Sequence, residues 1–67
     1  MLFSKKKKRI TFLLGCMWHY IKCIEDVKRF AEATDIITTV CIELGIDWEQ
    51  IMAAERAYQK WKREGAD

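Results

Sequence analysis

The sequence predicts an all-α fold, with three helices in a single domain behind a basic N-terminal arm. The chain has 67 residues, no proline and only three glycines, and it lacks the Asn-Gly and Asp-Gly turns of β-hairpins. Apolar residues recur at helical spacing in three stretches, which we assign to helices at about residues 10–33, 35–44 and 48–64. No repeat or linker divides the chain, so residues 1–67 form one domain.

Residues 1–9 are predicted to be a flexible arm. Its positive charges are Lys5, Lys6, Lys7, Lys8 and Arg9. Four lysines would oppose the dipole at the start of a helix, so helix 1 is expected to begin near residue 10. The whole chain carries a net charge of only +2, so the remainder is mildly acidic. Such an arm suits phosphate backbones or anionic lipid surfaces, and a solvated tail is the competing interpretation.

Helix 1 is predicted from a seam of apolar residues that alternates spacings of three and four. The seam consists of Ile10, Leu13, Met17, Tyr20, Ile24, Val27 and Ala31. A chain this short buries only about 60% of its unfolded surface, yet 51% of its residues are hydrophobic. We therefore expect a homo-oligomer or a bound partner protein. The expected interface consists of Leu13, Met17, Trp18, Tyr20, Ile24 and Val27.

Helix 2 is expected to begin at an N-cap formed by Thr34 or Asp35. The β-branched run at residues 36–42 could also form a strand, but a lone strand would leave its backbone unpaired, so a helix is preferred. Gly45 can adopt the left-handed conformation that ends a helix.

Helix 3 has the clearest start signal in the chain. Asp47 and Gln50 have the spacing of a capping box, and Ile46 can pack on Ile51 as a hydrophobic staple. The predicted buried stripe contains Ile51, Ala54, Tyr58 and Trp61. Gly65 is expected to stop this helix.

No constellation of residues predicts catalysis, a cofactor or a metal site. Cys16, His19 and Cys23 share one helical face, but seven residues rise about 10.5 Å, too far for both thiolates to bind one zinc ion. The carboxylates, Glu55 among them, are placed at helix starts or on polar faces. The chain is therefore interpreted as a non-enzyme. Three cysteines in apolar patterns favour free thiols in the reducing cytoplasm.

The apolar run after the basic arm is too short to span a bilayer. It extends over about 15 residues, to Ile24, against the roughly 20 that a spanning helix requires. Whether residues 1–16 act as a targeting or membrane-surface segment stays open.

Residues 37–54 resemble the helix-turn-helix family in the placement of their apolar and small residues. Gly45 stands between Leu44 and Ile46, with Cys41 and Ile51 at the family's packing offsets. The resemblance implies a sharp helix–turn–helix junction at Gly45 and a second helix that contacts DNA. The first turn of helix 3 departs from this pattern, because its residues are acidic or neutral.

Two functions follow as expectations. The preferred one is a small regulatory or inhibitor protein, of the kind found among phage or bacterial accessory proteins, that self-associates and binds another protein through its helices. The alternative is a DNA-binding regulator of the helix-turn-helix kind. Its expected phosphate contacts are Lys5, Lys6, Lys7, Lys8, Arg9, Arg56 and Lys60.

Overall fold

Three α-helices make up the structure, a computed structural model that describes residues 2–65, with side chains from residue 5 onward. The helices are α1 (Leu2–Ile21), α2 (Val27–Leu44) and α3 (Trp48–Arg63), and the described part of the chain contains no strand. The predicted all-α domain of three helices is confirmed. The bounds of the first two helices differ from the prediction.

The chain leaves α1 at Ile21 and enters α2 at Val27, so the predicted single helix over residues 10–33 is wrong. Asp26 caps α2: its side chain accepts a hydrogen bond from the backbone N–H of Arg29 at 3.0 Å. Ile24 lies between the two helices and packs against the core. The apolar spacing of the predicted seam did not indicate this break, because it continues from α1 through the connecting turn into α2.

α1 begins at Leu2, so the segment predicted as a flexible arm is helical from that residue; Met1 lies outside the described residues. Lysine and arginine are good helix formers, and their turns lead directly into the part of α1 that packs on α3. Thr11 Oγ1 also donates to the carbonyl oxygen of Lys7 at 2.8 Å. The dipole penalty on which the prediction rested is only about 0.3–1 kcal/mol for an exposed charge.

α2 contains the whole β-branched run at residues 36–42, so the preference for a helix over a strand is confirmed. Thr34 and Asp35 lie inside α2 rather than at its start, which corrects the predicted cap. The helix ends as predicted at Gly45, whose φ of 67° and ψ of 38° are left-handed. The Gly45 N–H bonds back to the carbonyl oxygens of the last turn.

α3 begins as predicted. The capping box is present, with the Asp47 N–H donating to Gln50 Oε1 at 2.8 Å. Ile46 and Ile51 are both buried in the core, as the predicted staple requires. Trp61, however, is 45% exposed, because ten residues at 100° each leave it about 80° around the helix from Ile51.

The core lies where the three helices meet. Its buried members are Leu14, Ile21, Ile37, Cys41, Ile46 and Ile51, with Trp18, Phe30 and Trp48 among the half-buried side chains around them. The Trp18 and Trp48 rings are 4.9 Å apart between centroids and are tilted by 60°, so α1 contacts the start of α3 through two packed indoles. α1 packs far more extensively on α3 than on α2.

α1 and α3 cross each other, and residues of α1 on both sides of Gly15 contact both halves of α3. Lys8 and Phe12 share a groove with Gln50, near the start of α3, whereas Tyr20, near the end of α1, meets Tyr58. Trp18, in the carboxyl half of α1, also meets Trp48 at the start of α3, and Phe12 also meets Tyr58, so the two helices cross near Gly15 and Ala54.

Candidate functional site

The carboxyl half of α1 is fastened to α3 by a polar group that we call the Glu55 cluster, formed by Glu55, Lys22, His19 and Gln59. Glu55 is only 5% exposed. Its Oε2 accepts a hydrogen bond from Gln59 Nε2 at 3.0 Å and forms an ion pair with Lys22 Nζ. His19 Nδ1 lies 3.4 Å from the same oxygen. One carboxylate oxygen thus joins the two helices.

Opposing effects act on the Glu55 carboxyl. Burial raises its pKa, but the hydrogen bonds and charges of Lys22 and His19 outweigh burial and leave the pKa below its ordinary value. The carboxylate therefore stays ionised near neutral pH and is occupied by its partners. Placing Glu55 on a polar face was wrong: it lies four residues after Ile51 and three before Tyr58, on the buried stripe. That spacing was the signal in the sequence.

An aromatic cluster lies beside the Glu55 cluster. The Tyr20 and Tyr58 hydroxyls are 2.9 Å apart, and Tyr58 is surrounded by Phe12, His19 and Trp61 at centroid distances of 5.5–6.3 Å. The hydrogen bond with Tyr20, together with burial, raises the pKa of Tyr58 to about 12. Tyr58 is therefore neutral at physiological pH and acts as a packing and hydrogen-bonding group.

The three cysteines are free thiols, as the sequence predicts. Burial raises the pKa of Cys16 and of Cys41, which disfavours the thiolate that nucleophilic attack requires. Cys23 donates a weak hydrogen bond to the carbonyl oxygen of His19 at 3.5 Å. Among residues 2–65, no group of three or more His, Cys, Asp or Glu side chains is placed to hold a metal ion.

Three of the predicted interface residues form an exposed line on α1, the α1 stripe of Leu13, Met17 and Tyr20. Their exposed fractions are 53%, 49% and 55%, high values for large apolar side chains. Positions i, i+4 and i+7 fall on one face of a helix, so the stripe is continuous. Tyr20 contacts Tyr58, and Trp61 lies next to Tyr58, which extends the apolar surface onto α3.

The other predicted interface residues lie elsewhere. Trp18 packs between Phe30 and Trp48, and Ile24 packs against the core, so each offers only a part of its surface to a partner. Val27 is exposed in the first turn of α2, beyond the break that separates it from the α1 stripe.

The predicted phosphate contacts are divided between two places. Lys5, Lys6, Lys8 and Arg9 are exposed in the first turns of α1, and Lys7 is half-buried. Arg56 and Lys60 are exposed on α3. Lys60 lies about 15 Å further along α3 than Gln50, the residue that shares a groove with Lys8. Lys60 is therefore separated from the basic first turns of α1.

Most side chains at the start of α3 already make contacts within the chain and are poorly placed to bind a DNA base. Gln50 uses its side-chain oxygen in the capping box, Trp48 is packed against Trp18, and the exposed residue between them is Glu49. In helix-turn-helix proteins these positions would meet base edges and phosphates.

No family model, curated protein or solved structure matches this chain. Within residues 2–65, none of the helices combines the length and the apolar character needed to cross a lipid bilayer.

Proposed function

We propose that this chain is a small, non-enzymatic regulatory or inhibitory protein that self-associates and acts by binding another protein through exposed apolar helix faces. One observation carries the proposal. A compact monomer of 8.0 kDa exposes about 4,450 Å², whereas this chain exposes 5499 Å². The excess of about 1,000 Å² is larger than the roughly 800 Å² that each partner buries in a standard protein interface.

The shape of the molecule supports the same proposal. The radius of gyration is 12.6 Å, against about 11 Å for a compact domain of this length. The molecule measures 38 × 32 × 18 Å, so it is flat and its helices have faces that the other helices do not cover. A flat helical domain can bind a protein on each of its broad sides.

The chemistry of the exposed side chains also favours protein binding. Large apolar residues are exposed on all three helices: Leu13, Met17 and Tyr20 on α1, Val27, Ile36, Ile42 and Leu44 on α2, and Met52 and Trp61 on α3. Tyrosine and tryptophan dominate the energetics of many interfaces, and here Tyr20 and Trp61 flank the buried Tyr58. The free thiols suit a cytoplasmic location, where disulfides are rare.

The titratable groups support binding better than catalysis. Glu55 is held by Lys22 and Gln59, and the pKa of Cys16 is raised by burial. A general base or a nucleophile needs a free carboxylate, imidazole or thiolate beside a substrate cleft.

A DNA-binding regulator is the second candidate. It is supported by the exposed basic side chains in the first turns of α1, where the helix dipole adds positive potential. The acidic first turn of α3 counts against base recognition, so this candidate would grip phosphates without reading sequence.

Affinity capture from the native host with matched surface variants tests both candidates. The bait is the wild-type protein, Met17→Glu on α1, Ile42→Glu on α2 or Met52→Glu on α3, each checked for helical content by circular dichroism. A captured protein that survives nuclease and 1 M salt, estimated to reduce the Debye length to about 3 Å, and that one variant loses would support protein binding. If every variant captures the same proteins as wild type, the proposal fails.

Nuclease and salt separate the second candidate from the first. Phosphate contacts release counterions, so DNA binding weakens steeply as salt rises. A duplex shifted at low salt by wild type, and not by a variant with alanine at residues 5–9, would favour the DNA candidate. No shift at any salt concentration would exclude it.

A further inference from the structure

We propose that the α1 stripe is covered by a second copy of this chain, with the two α1 helices antiparallel and a two-fold axis near Met17. The inference rests on the proposed function, because it assigns one of the exposed apolar faces to self-association. It leaves the exposed faces of α2 and the outer side of α3 free for a different protein.

The stripe has the length and spacing of a helix–helix contact. Leu13, Met17 and Tyr20 follow the alternating four and three spacing that packs two helices side by side. In an antiparallel pair centred between residues 16 and 17, Leu13 of one copy meets Tyr20 of the other, and the Met17 side chains meet near the axis. A two-fold contact repeats every such pair twice.

The area agrees with a dimer of this kind. The surface in excess of a compact monomer is about 1,000 Å² per chain, slightly above the roughly 800 Å² per partner of a standard interface. The excess can therefore accommodate one complete interface. The half-exposed Tyr20 and Trp61, joined through Tyr58, extend the contact beyond the three stripe residues.

Charges of both signs lie at the carboxyl end of the stripe, where Lys62 Nζ is 5.8 Å from the centroid of the Tyr20 ring, and the antiparallel arrangement brings the basic amino end of the other copy toward two acids there. Lys6 and Arg9 continue the line of the stripe toward the amino end of α1 and are exposed. Glu25 and Asp26 follow the carboxyl end of α1 and are exposed. No ion pair to either acid is found in the described part of the chain, where the ion pairs belong to Glu55. Phe12 of one copy falls opposite Ile21, the last residue of α1, in the other copy, and Arg9 lies one turn further on, toward the segment that carries Glu25.

The helix dipoles also favour the antiparallel arrangement. The amino end of α1 is the positive end of its dipole and the carboxyl end is the negative end. Antiparallel packing places opposite ends together, whereas parallel packing places two basic segments side by side. Lys28 and Arg29 follow Asp26 in the first turn of α2 and offset its charge. The charge pair to test is therefore Arg9 with Glu25.

Sedimentation equilibrium of the purified protein, with charge-swap variants, tests this inference. Wild type is expected to dimerise, and Met17→Glu is expected to raise the dimer Kd at least about tenfold, because the dimer would bury unpaired carboxylates. Ile42→Glu, which changes a 75% exposed residue on α2, is expected to leave the Kd unchanged. Circular dichroism checks that both variants stay folded.

The charge swap tests the antiparallel register. Arg9→Glu and Glu25→Lys are each expected to raise the dimer Kd about fivefold, because each replaces two attractions of an exposed pair with repulsions, and the double variant is expected to restore the wild-type Kd. A dimer that is insensitive to Met17→Glu, or a double variant weaker than both single variants, would overturn the inference.

The failure of this inference is distinct from failure of the proposed function. A wild-type chain that stays monomeric at all concentrations overturns the dimer. Capture of a different protein by wild type and its loss in one surface variant would still support the proposed function.

Discussion

Gly15 of α1 lies directly against Ala54 of α3, and a Cβ atom added at Gly15 would lie only 2.6 Å from the Cβ of Ala54 and 2.7 Å from the backbone nitrogen of Glu55. Contacts this short do not occur between real atoms of these types, so any residue larger than glycine would push the two helices apart. The close approach also brings His19 and Lys22 within reach of Glu55. Gly15 therefore determines how the Glu55 cluster is assembled.

Gly15→Ala is expected to destabilise the fold by about 1–3 kcal/mol or more, the usual cost of overpacking. Helix propensity alone predicts the opposite sign, since alanine stabilises a helix interior by about 1 kcal/mol relative to glycine. Urea unfolding followed by circular dichroism measures the difference. A variant more stable than wild type would show that α1 and α3 are not packed at this distance.

The start of α2 gives a second prediction. Asp26 is the N-cap of this helix, whereas Asp35, a candidate cap in the sequence, lies inside it. Asp26→Ala removes the side chain that accepts from the Arg29 N–H and is expected to cost about 0.5–2 kcal/mol. Asp35→Ala is the matched control, because Asp35 is exposed inside α2 and its loss is expected to change stability by less than about 0.5 kcal/mol. Thermal unfolding measures the loss of stability in both variants. A larger loss for Asp35→Ala than for Asp26→Ala would support the helix start predicted from the sequence.

The sequence predicts local signals in this chain better than tertiary ones. The capping box at Asp47 and the left-handed Gly45 depend on residues within one turn, and both are confirmed. The break after Ile21 was missed because the apolar spacing continues through it, although Asp26 is an ordinary cap residue. The spacing of Glu55 from Ile51 and Tyr58 places it on the buried stripe, but its partners Lys22 and His19 are more than thirty residues away, and no local pattern identifies them.

The Glu55 cluster gives a prediction for pH dependence. Because the folded-state pKa of Glu55 is lowered, its stabilising effect is present above the unfolded-state pKa, near its ordinary value of 4.5, and is lost as pH falls through the folded-state pKa. Glu55→Gln is expected to cost about 1.5–3 kcal/mol at pH 7, the range for hydrogen bonds to a charged group.

Urea unfolding at a series of pH values checks this prediction. The stability gap between wild type and Glu55→Gln is expected to narrow as the medium is acidified below the ordinary carboxyl pKa. Glu49→Gln, at an exposed position in the first turn of the same helix, provides the control and is expected to cost only about 0.3–1 kcal/mol, the contribution of an exposed charge near the helix dipole. A gap that is the same at neutral and acid pH would show that the charge of Glu55 contributes nothing.

The hydrogen-bonded pair Tyr20 and Tyr58 predicts a loss of stability as pH rises, the opposite direction to the loss predicted for Glu55. The folded-state pKa of Tyr58 is raised to about 12 from an ordinary value of 10.0, and the hydrogen bond with Tyr20 is the largest cause. The stabilising effect is therefore complete below the unfolded-state pKa and is lost as pH rises from about 10 toward about 12. Tyr20→Phe removes the hydroxyl that lies 2.9 Å from Tyr58 and is expected to return the pKa of Tyr58 toward 10. Ultraviolet titration of tyrosinate in the folded protein measures the shift, and a Tyr58 midpoint that stays near 12 in Tyr20→Phe would mean that the two hydroxyls are not bonded.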